Sequence, residues 1–557
     1  MPPLDKEVEE KLQQMRREAE ERDAQRRASQ LKCSYIDPRT APINIEALSL
    51  ISEEDAKTAK LAVIEMKQKN LAVAVYDPSL PETKKIINKL TVQGYNLSFL
   101  ICSLSGLKAI WDFYRFVPKT KEKITGQIRL EKTRLNELRK SLNSLEAIRR
   151  ELEKIGANSI NTAQILEVVI AGAISNRASD VHFEPKEKKV KLRIRIDGLL
   201  YDVWEELSYN AYNPILSRVK LLSGLKINIH DEPQDGRFSV NLPDKTIEIR
   251  TSVMPAEFGE AIVLRILDPE TIRLSIKDLG FREDDLEIIQ KELLRPNGAI
   301  LNTGPTGSGK TTTLYTFLTH VQSSETKIIT IEDPIEYHLE GIEQTQVNPS
   351  AGYTFASGLR SALRQDPDII LIGEIRDLET AEIAMHSALT GHLVFSTLHT
   401  NDASGAIPRL LDLGAKPQIV APALNIIIAQ RLVRRLCENC KEPVEITSEF
   451  KEKADKFLSQ LPERVNKNSF KNLQIFKPKG CEKCNHLGYK GRIAIFELLE
   501  VTDKLKDLIG KSPVETEIKK LAAEEGMVSL SQDGILKILR GITTQEEVER
   551  VAGALEW

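Results

Sequence analysis

No stretch of this sequence approaches the ~18 consecutive apolar residues that a membrane span needs. The longest candidates, such as Ile165 to Ile174, are short and contain Glu167. No apolar signal segment follows Met1-Pro-Pro-Leu-Asp; dense charge does. A large charge of one sign is missing too. The 78 Lys and Arg nearly balance the 81 Asp and Glu, leaving a net of −3. That is a poor electrostatic match for a protein that lives on DNA or RNA. Cysteine is scarce, with six residues in 557. These absences point to a cytoplasmic protein that takes no nucleic acid and reaches a membrane only through partners. Apolar content of 41% with 29% charge suits a globular chain rather than a disordered one. The length exceeds one hydrophobic core, so about three or four domains are expected.

What is present is concentrated in one stretch. Gly304-Pro305-Thr306-Gly307-Ser308-Gly309-Lys310-Thr311 fits G-x-x-x-x-G-K-[ST]. Ala299 to Leu301 before it reads as a strand, and Thr312 to Gln322 after it reads as a helix. Backbone N–H groups in such a turn, with the positive end of the helix dipole, hold a polyphosphate without side chains. Lys310 then reaches the β- and γ-phosphates, and Thr311 holds Mg²⁺. These residues, with Thr312, form the expected nucleotide site.

Acids follow at strand ends. Lys327 to Ile331 is a buried-strand run that ends in Glu332-Asp333-Pro334-Ile335-Glu336. Carboxylates at the carboxyl end of a strand beside a P-loop sit where a parallel sheet places its ligand. The sequence permits either Glu332 or Glu336 to orient a water. Asp368-Ile-Ile-Leu-Ile-Gly-Glu374 is a Walker-B-like strand, with Glu374 in reach of Mg²⁺ or its water shell. Gly391-His392-Leu-Val-Phe-Ser-Thr-Leu-His399 is a strand with a His at each end. P-loop, acid, acid, polar strand end, in that chain order, is the layout of a RecA-like NTPase of the α/β class.

Two cysteines, Cys33 and Cys102, are isolated and read as inert thiols. The other four form two C-x-x-C pairs, Cys437/Cys440 and Cys481/Cys484. Four thiolates suit a tetrahedral structural Zn²⁺ with no position left open for chemistry.

Composition divides the rest. Residues 1–32 are nearly all charged or polar and read as a flexible, solvated or frayed helix. Residues 33–117 form a small α/β domain, with a capped helix start at Ile51-Ser-Glu-Glu-Asp-Ala and a strand at Leu71-Ala-Val-Ala-Val75. In 118–156, Ile128, Leu135 and Leu142 recur every seven residues, as do Leu138, Leu145 and Leu152. That seam fits either a coiled-coil arm or one linker helix packed on its neighbour. Residues 157–275 form a second α/β domain. Val190-Lys-Leu-Arg-Ile-Arg-Ile196 alternates there as a half-buried strand does, and Asp197-Gly198 marks a hairpin. Residues 276–557 form the last domain, in which 290 to about 430 alternate strand and helix, as a parallel sheet with flanking helices does. They include the cysteine-bearing 431–497 and short amphipathic helices over 498–557.

Several motifs resemble those of one family. Thr330-Ile-Glu-Asp-Pro-Ile-Glu-Tyr337 is similar to its Asp box, and Arg364 to Asp377 to its Walker B segment. Thr390 to Thr400 is similar to its His box, and Ala178-Ser-Asp-Val-His-Phe-Glu-Pro185 to its N-terminal-domain signature. The family is the secretion ATPases of type II secretion and type IV pilus assembly, and the resemblance covers roughly residues 157 to 555. It implies a RecA-like P-loop ATPase domain with a preceding PAS-like α/β domain, an N-terminal docking domain and a zinc-binding subdomain. It implies ATP, Mg²⁺ and Zn²⁺ as cofactors. Glu336 would activate water, Glu374 would be the Walker B acid, and His392 and His399 would sense the γ-phosphate. Arg237, Arg250 and Arg265 would approach the phosphates when two domains close. The resemblance further implies a homo-hexamer, peripheral to the inner membrane. Its partners would be an inner-membrane platform protein and the pilus or secretion assembly proteins. Pilus assembly is the favoured system. Type II secretion is the alternative, and a nucleic-acid translocating motor is the alternative from another class.

Overall fold

The computed structural model describes the chain except residues 1–5, 38–42, 68, 118–126, 129–137, 139–140, 159–161, 243–244, 273, 471–472 and 556. It forms two compact units, Met1–Leu267 and Asp268–Trp557. The division falls ahead of the boundary read at residue 275.

Alternation decides the larger sheet of the first unit. Along Val190–Ile196 every second residue is buried, so Val and Ile face one side while Lys and Arg face the other. Seven strands pair in the order Gln127–Ile128, Gln234–Asn241, Thr246–Ala256, Gly259–Leu267, Ala178–Pro185, Val190–Ile196 and Leu199–Leu207. Phe183, Ile194, Ile249 and Leu264 from its apolar face share a core with Ile165 and Val169 of helix Thr162–Ser175. Helix Leu145–Asn158 packs on that helix. A Cβ on Gly172 would stand 2.6 Å from Ile148 Cδ1, so only glycine permits this approach. Leu142, ahead of helix Leu145–Asn158, and Leu152, on it, are buried in the same core. Ile128 lies in a strand, so a helical seam does not reach it. Leu135 lies outside the described residues.

The smaller sheet runs Ser34–Tyr35, Asn96–Ile101, Asn70–Val75, Leu61–Lys67. Ser52 caps the helix that follows it by accepting from Asp55 N. Helix Lys6–Leu31 departs from the expected solvated segment, because its second half is docked. Ala24 and Ala28 are buried. Glu21 accepts from the Tyr35 hydroxyl and from Ser103 Oγ, each at 2.8 Å, and the Arg27 guanidinium lies 3.8 Å from the Tyr76 ring centroid. The sequence shows no apolar stripe here because alanine and charge make the contact.

In the second unit seven strands pair in the order Glu343–Gln346, Ile328–Glu332, Ile369–Ile372, Leu393–Leu398, Gly298–Thr303, Leu424–Leu436 and Tyr489–Glu500. All neighbours are parallel except the last pair. Ile328–Glu332, Ile369–Ile372 and Leu393–Leu398 are buried throughout, which is why their apolar runs are continuous rather than alternating. Residues 431–436 and 489–497 belong to this sheet. The cysteine-bearing insertion is therefore narrower than 431–497 and runs from Cys437 to Gly488. Its helix Ser448–Gln460 buries Ala454, Phe457 and Leu458 against Val528, Ile535 and Leu539. Ion pairs tie in a third element: Arg464 of the insertion meets Asp284 at 2.8 Å and Asp285 at 3.1 Å on helix Glu283–Leu293, and Arg282 before that helix meets Asp533 of helix Leu530–Leu539 at 3.4 Å. Among the described residues no helix is long and apolar enough to cross a membrane.

The last helix, Gln545–Ala552, is held by one carboxylate. Glu547 accepts from Arg434 N at 3.1 Å, from the Arg434 guanidinium at 2.7 Å and from the Arg550 guanidinium at 2.8 Å. Burial alone would raise its pKa, but these donors outweigh burial and hold it down at about 2. A depressed carboxyl contributes stability above its unfolded value and loses it as pH falls toward the folded one. Glu547→Gln is therefore expected to cost about 1–3 kcal/mol at neutral pH. Denaturant midpoints should show the gap to wild type closing as pH falls from 4.5 to about 2.

Candidate functional site

A parallel strand delivers its last residue to one edge of the sheet, where ligands bind. Gly298–Thr303, wholly buried, does this, and helix Lys310–Val321 leaves from the same edge. Between them Gly307 and Gly309 adopt φ of 80° and 94°, the left-handed region that favours glycine. A Cβ on Gly304 would lie 2.6 Å from the Gln430 carbonyl oxygen and 2.7 Å from Ser308 Oγ. The loop thus rests directly on strand Leu424–Leu436. Gln430 Oε1 accepts from Asn302 Nδ2 at 3.0 Å and Thr313 Oγ1 at 2.9 Å, tying the strand before the loop to the helix after it.

Pro305, Thr306, Gly307 and Thr311 are exposed, and Thr312 is half-buried. Ser308 Oγ is buried without a protein partner. Lys310 Nζ donates to the carbonyls of Gly304 at 2.7 Å and Pro305 at 3.1 Å. Burial depresses its ammonium to about 8; Glu374 opposes this and Arg431 adds to it. A helix N-terminus, an orphaned hydroxyl and a disfavoured cation together form a donor set that fits a polyphosphate.

Three strands beside the loop bring their ends to the same edge. Glu374 follows Ile369–Ile372 and pairs with the Arg376 guanidinium. His399 follows Leu393–Leu398, with Nε2 at 3.2 Å from Glu374 Oε2. Lys310, Glu374 and His399 are therefore brought together. Glu332 ends Ile328–Glu332 but is sealed. It accepts from the Tyr315 hydroxyl, from Thr330 Oγ1 at 2.5 Å and from Gln344 Nε2 at 3.1 Å. Glu336 lies half-buried on the loop beyond.

His392 is not brought to this cluster. It precedes Leu393–Leu398 at the opposite edge, where Nδ1 sits 3.0 Å from Ser387 O and its carbonyl accepts from Gly298 N at 3.2 Å. At about 3.3 Å per strand residue, some 20 Å separate it from His399. The expected sensing of a phosphate by His392 is thus not possible from within the same chain. The sequence hid this, because a histidine flanks the strand at either end.

In the first unit the register sets three arginines side by side. Arg237 stands opposite Arg250, and Arg250 opposite Arg265. The row continues through Asp180 to Arg195. Asp180 bridges Arg265 at 3.0 Å and Arg195 at 3.3 Å. Like charges directly opposite are destabilising, so this row is a positive ridge held against its own repulsion.

The four cysteine sulfurs all lie within 4.8 Å of one another. Cys437 to Cys481 is 3.9 Å, Cys440 to Cys484 is 3.8 Å and Cys481 to Cys484 is 3.7 Å. Zinc–sulfur bonds of about 2.3 Å in a tetrahedron place sulfurs about 3.8 Å apart, so the cluster is compatible with zinc. Burial would raise the Cys484 thiol, but backbone donors from Cys481 and Gly488 and the neighbouring thiols bring it to about 7.

Sequence reasoning missed Tyr315, Gln344, Gln430, Arg431 and Thr400. The one usable signal was polar residues inside otherwise apolar runs, as in Leu424-Asn-Ile-Ile-Ile-Ala-Gln-Arg431.

Comparison with known proteins adds independent findings. A family model described as Type II/IV secretion system protein matches residues 157–550. The chain is 39% identical over 520 residues to a Myxococcus xanthus protein named type IV pilus assembly ATPase PilB, covering 92% of this chain and 88% of that one. It is 45% identical over 392 residues to the type II secretion system ATPase E of Vibrio cholerae, covering 70% of this chain and 75% of that one. The crystal structure of the Yersinia pseudotuberculosis ATPase DotB matches with a TM-score of 0.51 at 21% identity, over 70% of this chain and 93% of that one. That likeness concerns the fold.

A polyphosphate favours charged Lys310, whose free-state value is about 8. Binding of ADP above that pH should therefore take up a proton, while binding well below it should not. Calorimetry at pH 9 in two buffers of different ionisation enthalpy checks this. A Lys310→Met variant should show no such uptake, and equal heats for the wild type would show the lysine already charged.

Proposed function

The chain belongs to the Type II/IV secretion system protein family, and from that membership we propose that it is a ring-forming motor that powers pilin polymerisation in type IV pilus assembly. It is an ATPase. The observation that carries the mechanism is the convergence of Lys310, Glu374 and His399 on one sheet edge beside the P-loop. The loop from Gly304 to Thr312 holds the ATP phosphates, and Lys310 meets the β- and γ-phosphates. Thr311, with Glu374 beyond it, would hold Mg²⁺, which would neutralise phosphate charge there. Glu336 orients the attacking water, since Glu332 is sealed by three donors. His399 positions the γ-phosphate. The ridge of Arg237, Arg250 and Arg265 carries positive charge of the kind that a transferred phosphoryl group calls for.

Six copies form the ring, and it turns an inner-membrane platform protein from the cytoplasmic side. The pilus system is favoured over type II secretion by one observation: the Myxococcus xanthus relative aligns with 92% of this chain, the N-terminal part included, and the Vibrio cholerae relative with 70%. Cys437, Cys440, Cys481 and Cys484 would hold zinc, which would tie together the two ends of the 437–488 insertion. Metal analysis should give one zinc per chain, lost in a Cys481→Ser/Cys484→Ser variant; an unchanged content would place the metal elsewhere.

Purified protein should turn over MgATP at a rate that DNA does not alter. Glu336→Gln should lower kcat about a hundredfold with nucleotide binding kept. A DNA-dependent rate would favour a nucleic-acid motor, and an unchanged rate in the variant would move water activation to another group.

A further inference from the structure

Arg431 is a buried cation that the sequence motifs do not account for. It lies on strand Leu424–Leu436 directly beneath the P-loop and is 8% exposed. Its guanidinium donates to the Gln430 carbonyl at 3.0 Å through one nitrogen and to the Asn401 carbonyl at 2.5 Å through the other. The first nitrogen also lies 3.0 Å from where a Cβ on Gly304 would stand. One planar group therefore touches the floor of the P-loop and the segment that follows His399.

That segment is held from the P-loop strand as well. Thr303 Oγ1, on the last residue before the loop, is 2.6 Å from Thr400 Oγ1 and accepts from Thr400 N at 2.9 Å. Thr400 Oγ1 donates to Asp402 O at 2.8 Å, and Glu497 accepts from Ala403 N at 2.9 Å. Asp402 in turn meets Lys519 of helix Glu515–Glu524 at 2.8 Å. His399, one residue before Thr400, carries the contact to Glu374.

Burying a guanidinium is unfavourable unless its donors are used. Arg431 uses its donors on two carbonyls from different segments, and its neighbourhood already holds Lys310. A planar fork holds two acceptors at set positions through separate nitrogens, whereas an ammonium gathers its acceptors around one atom.

We propose that Arg431 is a positioning residue for ATP hydrolysis: its guanidinium bridges the Gln430 and Asn401 carbonyls and so fixes the 399–403 segment, and with it His399, against the P-loop. The bridge, rather than the positive charge, is what the reaction needs. This rests on the reading of His399 as a member of the catalytic cluster.

The test uses the full chain with Arg431→Lys, Arg431→Gln, Thr400→Val, the Arg431→Lys/Thr400→Val double variant and His399→Ala. ATP turnover, ADP affinity and the melting profile are measured for each. Arg431→Lys and Arg431→Gln should each lower kcat about tenfold or more, with ADP affinity within about threefold of wild type. Because Arg431 and Thr400 hold one segment, the double variant should lose less than the product of the single losses. Full activity in Arg431→Lys would show that charge suffices and overturn the proposal. A loss confined to ADP affinity, or losses that multiply, would overturn it as well. A variant that melts early is scored by kcat per nucleotide-binding site, which a purely structural loss leaves unchanged. Should His399→Ala turn over ATP normally, the reading of the cluster fails. If His399→Ala is impaired and Arg431→Lys is not, only the bridge fails.

Discussion

Parallel pairing is the constraint on which the second unit depends. A parallel sheet covered by helices must be apolar on both faces, so its strands have no room for chemistry along their length. Ile328–Glu332, Ile369–Ile372 and Leu393–Leu398 obey this completely. Polar groups are pushed to the strand ends, and parallel pairing sends the carboxyl ends to one side. Lys310, Glu374 and His399 come from three well-separated stretches of chain and still meet there. The same rule explains His392, which precedes its strand and so lies at the opposite edge.

The first unit solves a different problem with a different pattern. Its larger sheet has one apolar face, and strands Val190–Ile196 and Thr246–Ala256 alternate along their whole length. The polar face is then free to carry charge. Register alone decides which charges become neighbours, and it sets Arg237, Arg250 and Arg265 in one row. A one-residue slip in any of those strands would send its arginine to the apolar face. The hydrophobic core beneath thus enforces the placement of the cations above.

Much of this was legible in the sequence because local rules were not overridden. The P-loop, the continuous apolar strands and the alternating strand 190–196 all stand where pattern put them. The cysteine spacing led to the sulfur cluster. What could not be read were relations between distant segments. Nothing in Lys6–Leu31 announces that Glu21 and Arg27 dock it, since charge normally marks a solvated face. The heptad spacing from Ile128 was coincidental, because that residue pairs with Val240 in a strand. Glu332 and Glu336 were indistinguishable until Tyr315, Thr330 and Gln344 converged on the first. Gln430 and Arg431 interrupt an otherwise apolar strand, and only the fold shows the loop resting on them.

The cysteine insertion leaves the sheet hairpin at Cys437 and returns by Gly488, where Cys437 N donates to Gly488 O at 2.9 Å. Departure and return are neighbours in space. Lengthening such an excursion adds only about 0.6 kcal/mol of closure entropy per doubling. The pairing of Leu424–Leu436 with Tyr489–Glu500 carries on beneath it, with one register shift between Arg434 and Leu436. Evolution can therefore resize or exchange this appendage without retuning the phosphate chemistry next door.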